Sequence, residues 1–166
     1  MLRMSKLADY GTVVTTLLAR APDRIHSAAN VVDQTGLAPP TVSKILKTLA
    51  REGLLVSARG AKGGYMLARP PREISLAQVI GVLEGPIGIT ECSSAPGLCL
   101  QESGCSIRAN WQRINRVIVQ ALERITLEDM TRPIGRAVEV SMIKAPGSRQ
   151  RLHEAGPNRP PAGAQR

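Results

Sequence analysis

Leu7, Tyr10, Val14, Leu17 and Leu18 recur at helical spacing across residues 5–20, which predicts an amphipathic helix ended by Ala21-Pro22-Asp23. A second, short helix is expected from Ser27, a hydroxyl suited to cap it, to Gln34. Thr35-Gly36-Leu37 then reads as a tight turn with Gly36 in a positive-φ conformation. The third helix should run from Pro40, where a missing N–H costs nothing, to Glu52, with Gly53 closing it. Val42, Ile45, Leu46 and Leu49 sit at i, i+3, i+4 and i+7 and must face a core.

The opposite face of that helix carries Thr41, Ser43, Lys44, Lys47, Thr48 and Arg51. Short strand-like runs follow at residues 54–56 and 65–67, around the glycine-rich stretch from Ala58 to Gly64 that holds Arg59 and Lys62. A short helix, a glycine turn, a basic hydroxyl-rich helix and then a hairpin form the order of a winged helix-turn-helix. Beyond Pro70-Pro71 a helix is expected from Ser75 to Leu83, then an irregular stretch over residues 85–106, then a long helix over residues 107–128. Ile107, Trp111, Ile114, Ile118, Ala121 and Ile125 alternate spacings of four and three, a heptad seam that Val117 and Leu122 widen. The fold class is therefore mainly α with a small β-hairpin wing, a winged helix-turn-helix followed by a long dimerisation helix. Residues 1–72 form the DNA-binding head, 73–130 the linker helix, cysteine loop and dimerisation helix, and 131–166 a disordered basic tail rich in Pro, Gly and Arg.

Composition supports the helical reading. The 166 residues contain no Phe, two Tyr and one Trp, too few aromatics for an all-β sandwich or a stacking platform for single-stranded nucleic acid. The formal net charge is +9, which points to a polyanionic partner. The charge is local: Lys44, Lys47, Arg51, Arg59, Lys62 and Arg69 are opposed only by Glu52 between Leu37 and Arg69. A basic helix face or a glycine-rich hairpin alone is an ordinary solvated surface. Their succession, with the charge concentrated on both, favours double-stranded DNA. An anionic membrane surface fits less well, because the basic helix spends its apolar face on the core. Neither a secretion signal nor a membrane span is apparent, so a cytoplasmic protein with reduced thiols is expected.

All three cysteines fall in the irregular stretch, as Cys92-x6-Cys99-x5-Cys105. Structural zinc sites use closer pairs, whereas arms of five or six residues can reach separate corners of a cluster, with Gly97 and Gly104 allowing close backbone approach. Spacing ranks an iron–sulfur cluster first, redox-reactive thiols second and zinc third. His26 and His153 read as surface histidines rather than as further ligands.

The segments MLRMSKLADYGTVV, TVSKILKTLAREGLLVSARGAKGGYMLA and GITECSSAPGLCLQESGCSIRANW together resemble the Rrf-type winged-helix regulators that carry iron–sulfur clusters. Within that family the likeness is to the group regulating the SUF cluster-assembly operon in proteobacteria, and it covers about residues 1–130. The resemblance implies a homodimer in which Cys92, Cys99 and Cys105 ligate a 2Fe–2S or 4Fe–4S cluster. In the cluster-assembly regulators a His three positions after the third cysteine completes the shell; here Arg108 stands there and cannot ligate. In nitric-oxide-sensing relatives an N-terminal acid of the other subunit does so, and Asp9 holds the matching position.

The expected function is a DNA-binding transcriptional regulator whose operator affinity follows its cluster. Lys44, Lys47 and Arg51 would hold phosphates, Thr41 and Ser43 would lie near base edges, and Arg59, with Lys62 beside it on the wing, would enter the minor groove. A nitric-oxide or thiol redox-sensing repressor is the alternative, and a cluster carrier a weaker one, since it would need no basic reading head. No catalytic triad, P-loop or dinucleotide fingerprint suggests an enzyme.

Overall fold

In the computed structural model, residues 4–60 and 62–132 are described; all but the first two residues of the expected basic tail, and His153 with it, lie outside them. Among the described residues, seven helices and one hairpin follow in order: α1 (Lys6–Ala19), α2 (Ala28–Thr35), α3 (Pro39–Arg51), β1 (Leu55–Ala58), β2 (Gly64–Leu67), a single 3-10 turn (Pro71–Glu73), α4 (Leu76–Glu84), α5 (Glu91–Ser94), α6 (Arg108–Arg124) and α7 (Leu127–Thr131).

Hydroxyl side chains start the helices where the pattern places them. Ser5 accepts from the Ala8 N–H, Ser27 from Asn30 and Ser75 from Gln78, whose own side chain accepts the Ser75 N–H in return. Gly36 ends α2 with φ +68°. The first strand begins one residue later than expected and runs two residues further, the second begins one residue earlier, and they pair antiparallel with Leu55 opposite Leu67 and Ala58 opposite Gly64. A third, one-residue rung joins them: His26 and Tyr65 form an isolated bridge.

Val42, Ile45, Leu46 and Leu49 of α3 are all fully buried, against Val14 and Leu18 of α1, Val31 of α2, Leu54, Leu55 and Leu67 of the wing and Val79 of α4. Each such side chain contributes roughly 1.5–3 kcal/mol of hydrophobic free energy. α1 and α4 approach closely because Gly11 has no side chain; a Cβ there would fall on the Leu83 side chain. His26, expected at the surface, is in fact buried. Its ring nitrogens lie 3.4 Å from the Asn30 side-chain oxygen and 3.3 Å from the Ala21 carbonyl, partners that allow a polar ring inside the head.

Two expectations beyond the head are corrected. The stretch over residues 85–106 holds one helical turn, α5, carrying Cys92. The long helix expected over residues 107–128 ends at Arg124; Ile125 turns to extended backbone and Thr126 caps a new helix. The break occurs because Thr126 and Asp129 satisfy each other's backbone N–H groups, and because the extended residues pair with the start of α4. The Leu76 N–H donates to the Ile125 carbonyl and the Leu127 N–H to the Ile74 carbonyl, both at 2.9 Å. Leu127 then enters the head core with no exposed surface. Among the described residues no helix is long and apolar enough to cross a membrane.

Candidate nucleic-acid interface and thiol segment

α3 turns its apolar stripe inward, so Lys44, Lys47 and Arg51 are exposed and Thr41 and Ser43 half-buried on the outer side. The helix starts without a capping side chain. Pro39 and Pro40 have no N–H to satisfy, and the Thr41 and Val42 N–H groups both donate to the Ala38 carbonyl. The first turn thus offers side chains rather than free amides to a ligand. Arg51 pairs with Glu52 at 3.0 Å with both side chains well exposed; such a pair is worth about 0–1 kcal/mol and exchanges readily for a phosphate. Lys44, Lys47, Arg59 and Lys62 make no ion pair among the described residues.

At the wing tip the Gly63 N–H donates to the Gly60 carbonyl at 2.9 Å, and Gly60 takes φ +107°, a conformation few side chains adopt. This tight turn projects Arg59 and Lys62 into solvent. The wing is anchored at its base: the His26 N–H donates to the Tyr65 carbonyl (2.8 Å) and the Tyr65 N–H to the His26 carbonyl (2.9 Å).

The three cysteines are free thiols on the segment between α4 and α6; Cys92 is buried, Cys99 and Cys105 half-buried. Cys92 lies in α5, with its Sγ 3.4 Å from Thr90 Oγ1. Asn115, buried on α6, holds this turn: its Oδ1 accepts the Ile89 N–H at 3.1 Å, and its Nδ2 donates to the Ile87 carbonyl at 2.9 Å and the Ser93 carbonyl at 3.4 Å. Glu102 holds the rest, accepting the Gly97 N–H at 2.6 Å and pairing with the Arg108 guanidinium. Nothing in the sequence pattern singled out Asn115 or Glu102, because their partners are mainly backbone groups, up to 28 residues away for Asn115. Among the described residues no three His, Cys, Asp or Glu side chains converge as a metal site. Asp9 is exposed and lines a cleft of about 380 Å³ with Thr12, Thr16, Arg20 and Met130, in which none of the cysteines takes part.

Ile107, which precedes α6, and Trp111, Ile114 and Val117 on the helix are exposed, an unpartnered apolar stripe, while Leu122 packs against the head core.

Residues 4–133 match Rrf2, described as an iron-dependent transcriptional regulator. The chain belongs to the Rrf2 family. The HTH-type transcriptional regulator CymR of Bacillus subtilis (strain 168) is 30% identical over 130 residues, 78% of this chain and 89% of that protein. The structure of CymR, the global cysteine regulator of B. subtilis, superposes with a TM-score of 0.64, covering 79% of this chain and 97% of that one. T. potens IscR gives a TM-score of 0.62 at 30% identity, covering 78% of this chain and 85% of that one. The oxidized form of Staphylococcus aureus CymR gives 0.62 at 25% identity, covering 81% and 100%. Like these Rrf2 proteins, the chain is a DNA-binding winged-helix transcriptional regulator and not an enzyme.

Proposed function

We propose that this Rrf2 regulator is a cytoplasmic homodimer whose hold on its operator is set by an iron–sulfur cluster, and that it controls the SUF cluster-assembly genes. The observation that carries the reading is the set of three free thiols on one segment between α4 and α6, joined to a head with exposed cations on α3 and the wing. Thiolates are the soft donors that such clusters take, and Gly97 and Gly104 leave the segment free to bend around one. Cys92, Cys99 and Cys105 would hold the 2Fe–2S or 4Fe–4S group, with Asp9 of the second subunit as the fourth ligand. Once bound, the cluster would supply a group that iron starvation or oxidative stress removes or alters. The SUF assignment rests on the sequence resemblance.

The chain's own residues do the reading. In the dimer, α6 would face its copy along Ile107, Trp111, Ile114 and Val117. The two heads would then meet half-sites about 34 Å apart on one face of the duplex. Lys44, Lys47 and Arg51 neutralise phosphates, Thr41 and Ser43 approach base edges, and Arg59 and Lys62 follow the adjacent groove from the wing. The segment 73–130 senses while the segment 1–72 reads, and a change at the thiols alters operator affinity only by favouring one arrangement of the heads.

A thiol redox switch without metal is the second reading. The three thiols do not converge as a metal site, and an oxidized CymR is among the similar structures. Anaerobic purification with a visible spectrum and iron and acid-labile sulfide assays separates the two. Charge-transfer bands with matching iron and sulfide support the cluster. A colourless protein that resists reconstitution assigns the thiols to redox switching.

A further inference from the structure

Two independent sets of bonds hold the thiol segment, and they divide it. Around Cys92, Asn115 bonds Ile87, Ile89 and Ser93 to the body of α6, so both ends of the turn carrying this buried thiol are fixed. Around the other two, Glu102 is the hub. Its backbone N–H donates to the Cys99 carbonyl at 3.1 Å, its carboxylate takes the Gly97 N–H and pairs with Arg108, and the Arg108 N–H donates to the Cys105 carbonyl at 3.3 Å. Glu102 is thus tied directly to Cys99 and, through Arg108, to Cys105.

The two holds differ in kind. Asn115 is buried and each of its bonds is satisfied, an arrangement that is costly to open. The Glu102 side chain is 13% exposed and that of Arg108 38%, so their pair is stronger than a surface one yet within reach of water. Arg108 Nε is buried without a partner, a cost that opening the pair removes by returning the group to solvent. Leu98 and Leu100 beside Cys99 are exposed and anchor nothing.

We propose that Asn115 and Glu102 are positioning residues that split the three thiols into a fixed one, Cys92, and a clasped pair, Cys99 and Cys105, which is freed when the Glu102–Arg108 clasp opens. The proposal deepens the reading of this segment as the sensor: opening the clasp frees one arm of the thiol segment, and Arg108 is part of the catch.

The test follows alkylation of each thiol by iodoacetamide in the reduced, metal-free, full-length protein, with rates read peptide by peptide in a mass spectrometer. Glu102→Ala and Arg108→Ala should each speed Cys99 and Cys105 about fivefold and leave Cys92 within about twofold. Arg108→Lys, which keeps the charge opposite Glu102, should stay within about twofold of the parent at all three thiols. Asn115→Ser should speed Cys92 alone. Unchanged rates at Cys99 and Cys105 in Glu102→Ala would overturn the proposal, and so would equal acceleration of all three thiols, the mark of general loosening. Because no metal is present, a protein that gives the divided pattern yet takes up no iron and sulfide keeps the clasp and loses the cluster.

Discussion

His26 and Tyr65 exchange both of their backbone hydrogen bonds, at 2.8 and 2.9 Å, and so lock the wing to the chain entering α2. The rung needs Gly64 beside it, because a Cβ at Gly64 would fall on the His26 carbonyl. Gly64→Ala should therefore destabilise the head by about 1–3 kcal/mol, read as a lower midpoint in urea unfolding. An unchanged midpoint would mean that the wing shifts freely.

Arg59 and Lys44 should contribute to DNA binding in different ways. If Lys44 holds a phosphate as proposed, Lys44→Ala should weaken operator and random duplex alike and lower the salt slope by about 1 for each subunit. Arg59→Ala should in addition flatten the preference for A·T-rich flanks. Titrations at several salt concentrations, on operator and scrambled DNA, decide this; slopes equal to the parent's would remove both residues from the interface.

Val117 is 61% exposed on the outer face of α6 and is not part of the head core. Val117→Glu should leave the thermal unfolding of the subunit's head intact while turning a dimer into a monomer in sedimentation. A dimer that survives the substitution would place its interface off this stripe.

Asp129 carries a pH-dependent increment of stability. The Thr126 backbone N–H, then its hydroxyl, both donating to Asp129 Oδ2 at 2.9 and 2.7 Å, hold the carboxyl below its ordinary range, with Arg132 adding to the effect. Because the folded value is the lower one, the increment is complete above the unfolded carboxylate's pKa of about 4 and is lost as pH falls through the folded value. Melting of Asp129→Asn beside the parent should show a gap at neutral pH that closes in acid. A gap that stays constant down to about pH 2 would rule out this linkage.

Much of the head was legible because its determinants are local. Ser5, Ser27 and Ser75 announce helix starts, and the α3 stripe from Val42 to Leu49 announces its buried side. The break after α6 was written in the chain too, as Thr126-x-x-Asp129, but the apolar periodicity ran through Ile125 and concealed it. Only the pairing with Ile74 and Leu76, some fifty residues earlier, makes the cap prevail over helix continuation. His26 was misread as a surface residue: it is buried, with its ring beside the Asn30 side-chain oxygen and the Ala21 carbonyl, and its backbone bridges Tyr65, which no local pattern connects to it. At the thiol segment the sequence supplied the three cysteines, whereas Asn115 acts on backbone groups that carry no residue-specific signal, and Glu102 joins the Gly97 N–H to the Arg108 guanidinium in a link that no periodicity marks.

Where α4 begins and α6 ends, Ile74 to Leu76 and Ile125 to Leu127 hold each other through two hydrogen bonds. Val79 of α4 and Leu122 of α6 pack on the head core just inside this junction, so the thiol segment leaves the head along one helix and returns along the other. The closed junction makes α4 and α6 the two routes by which an event at sulfur would reach the head.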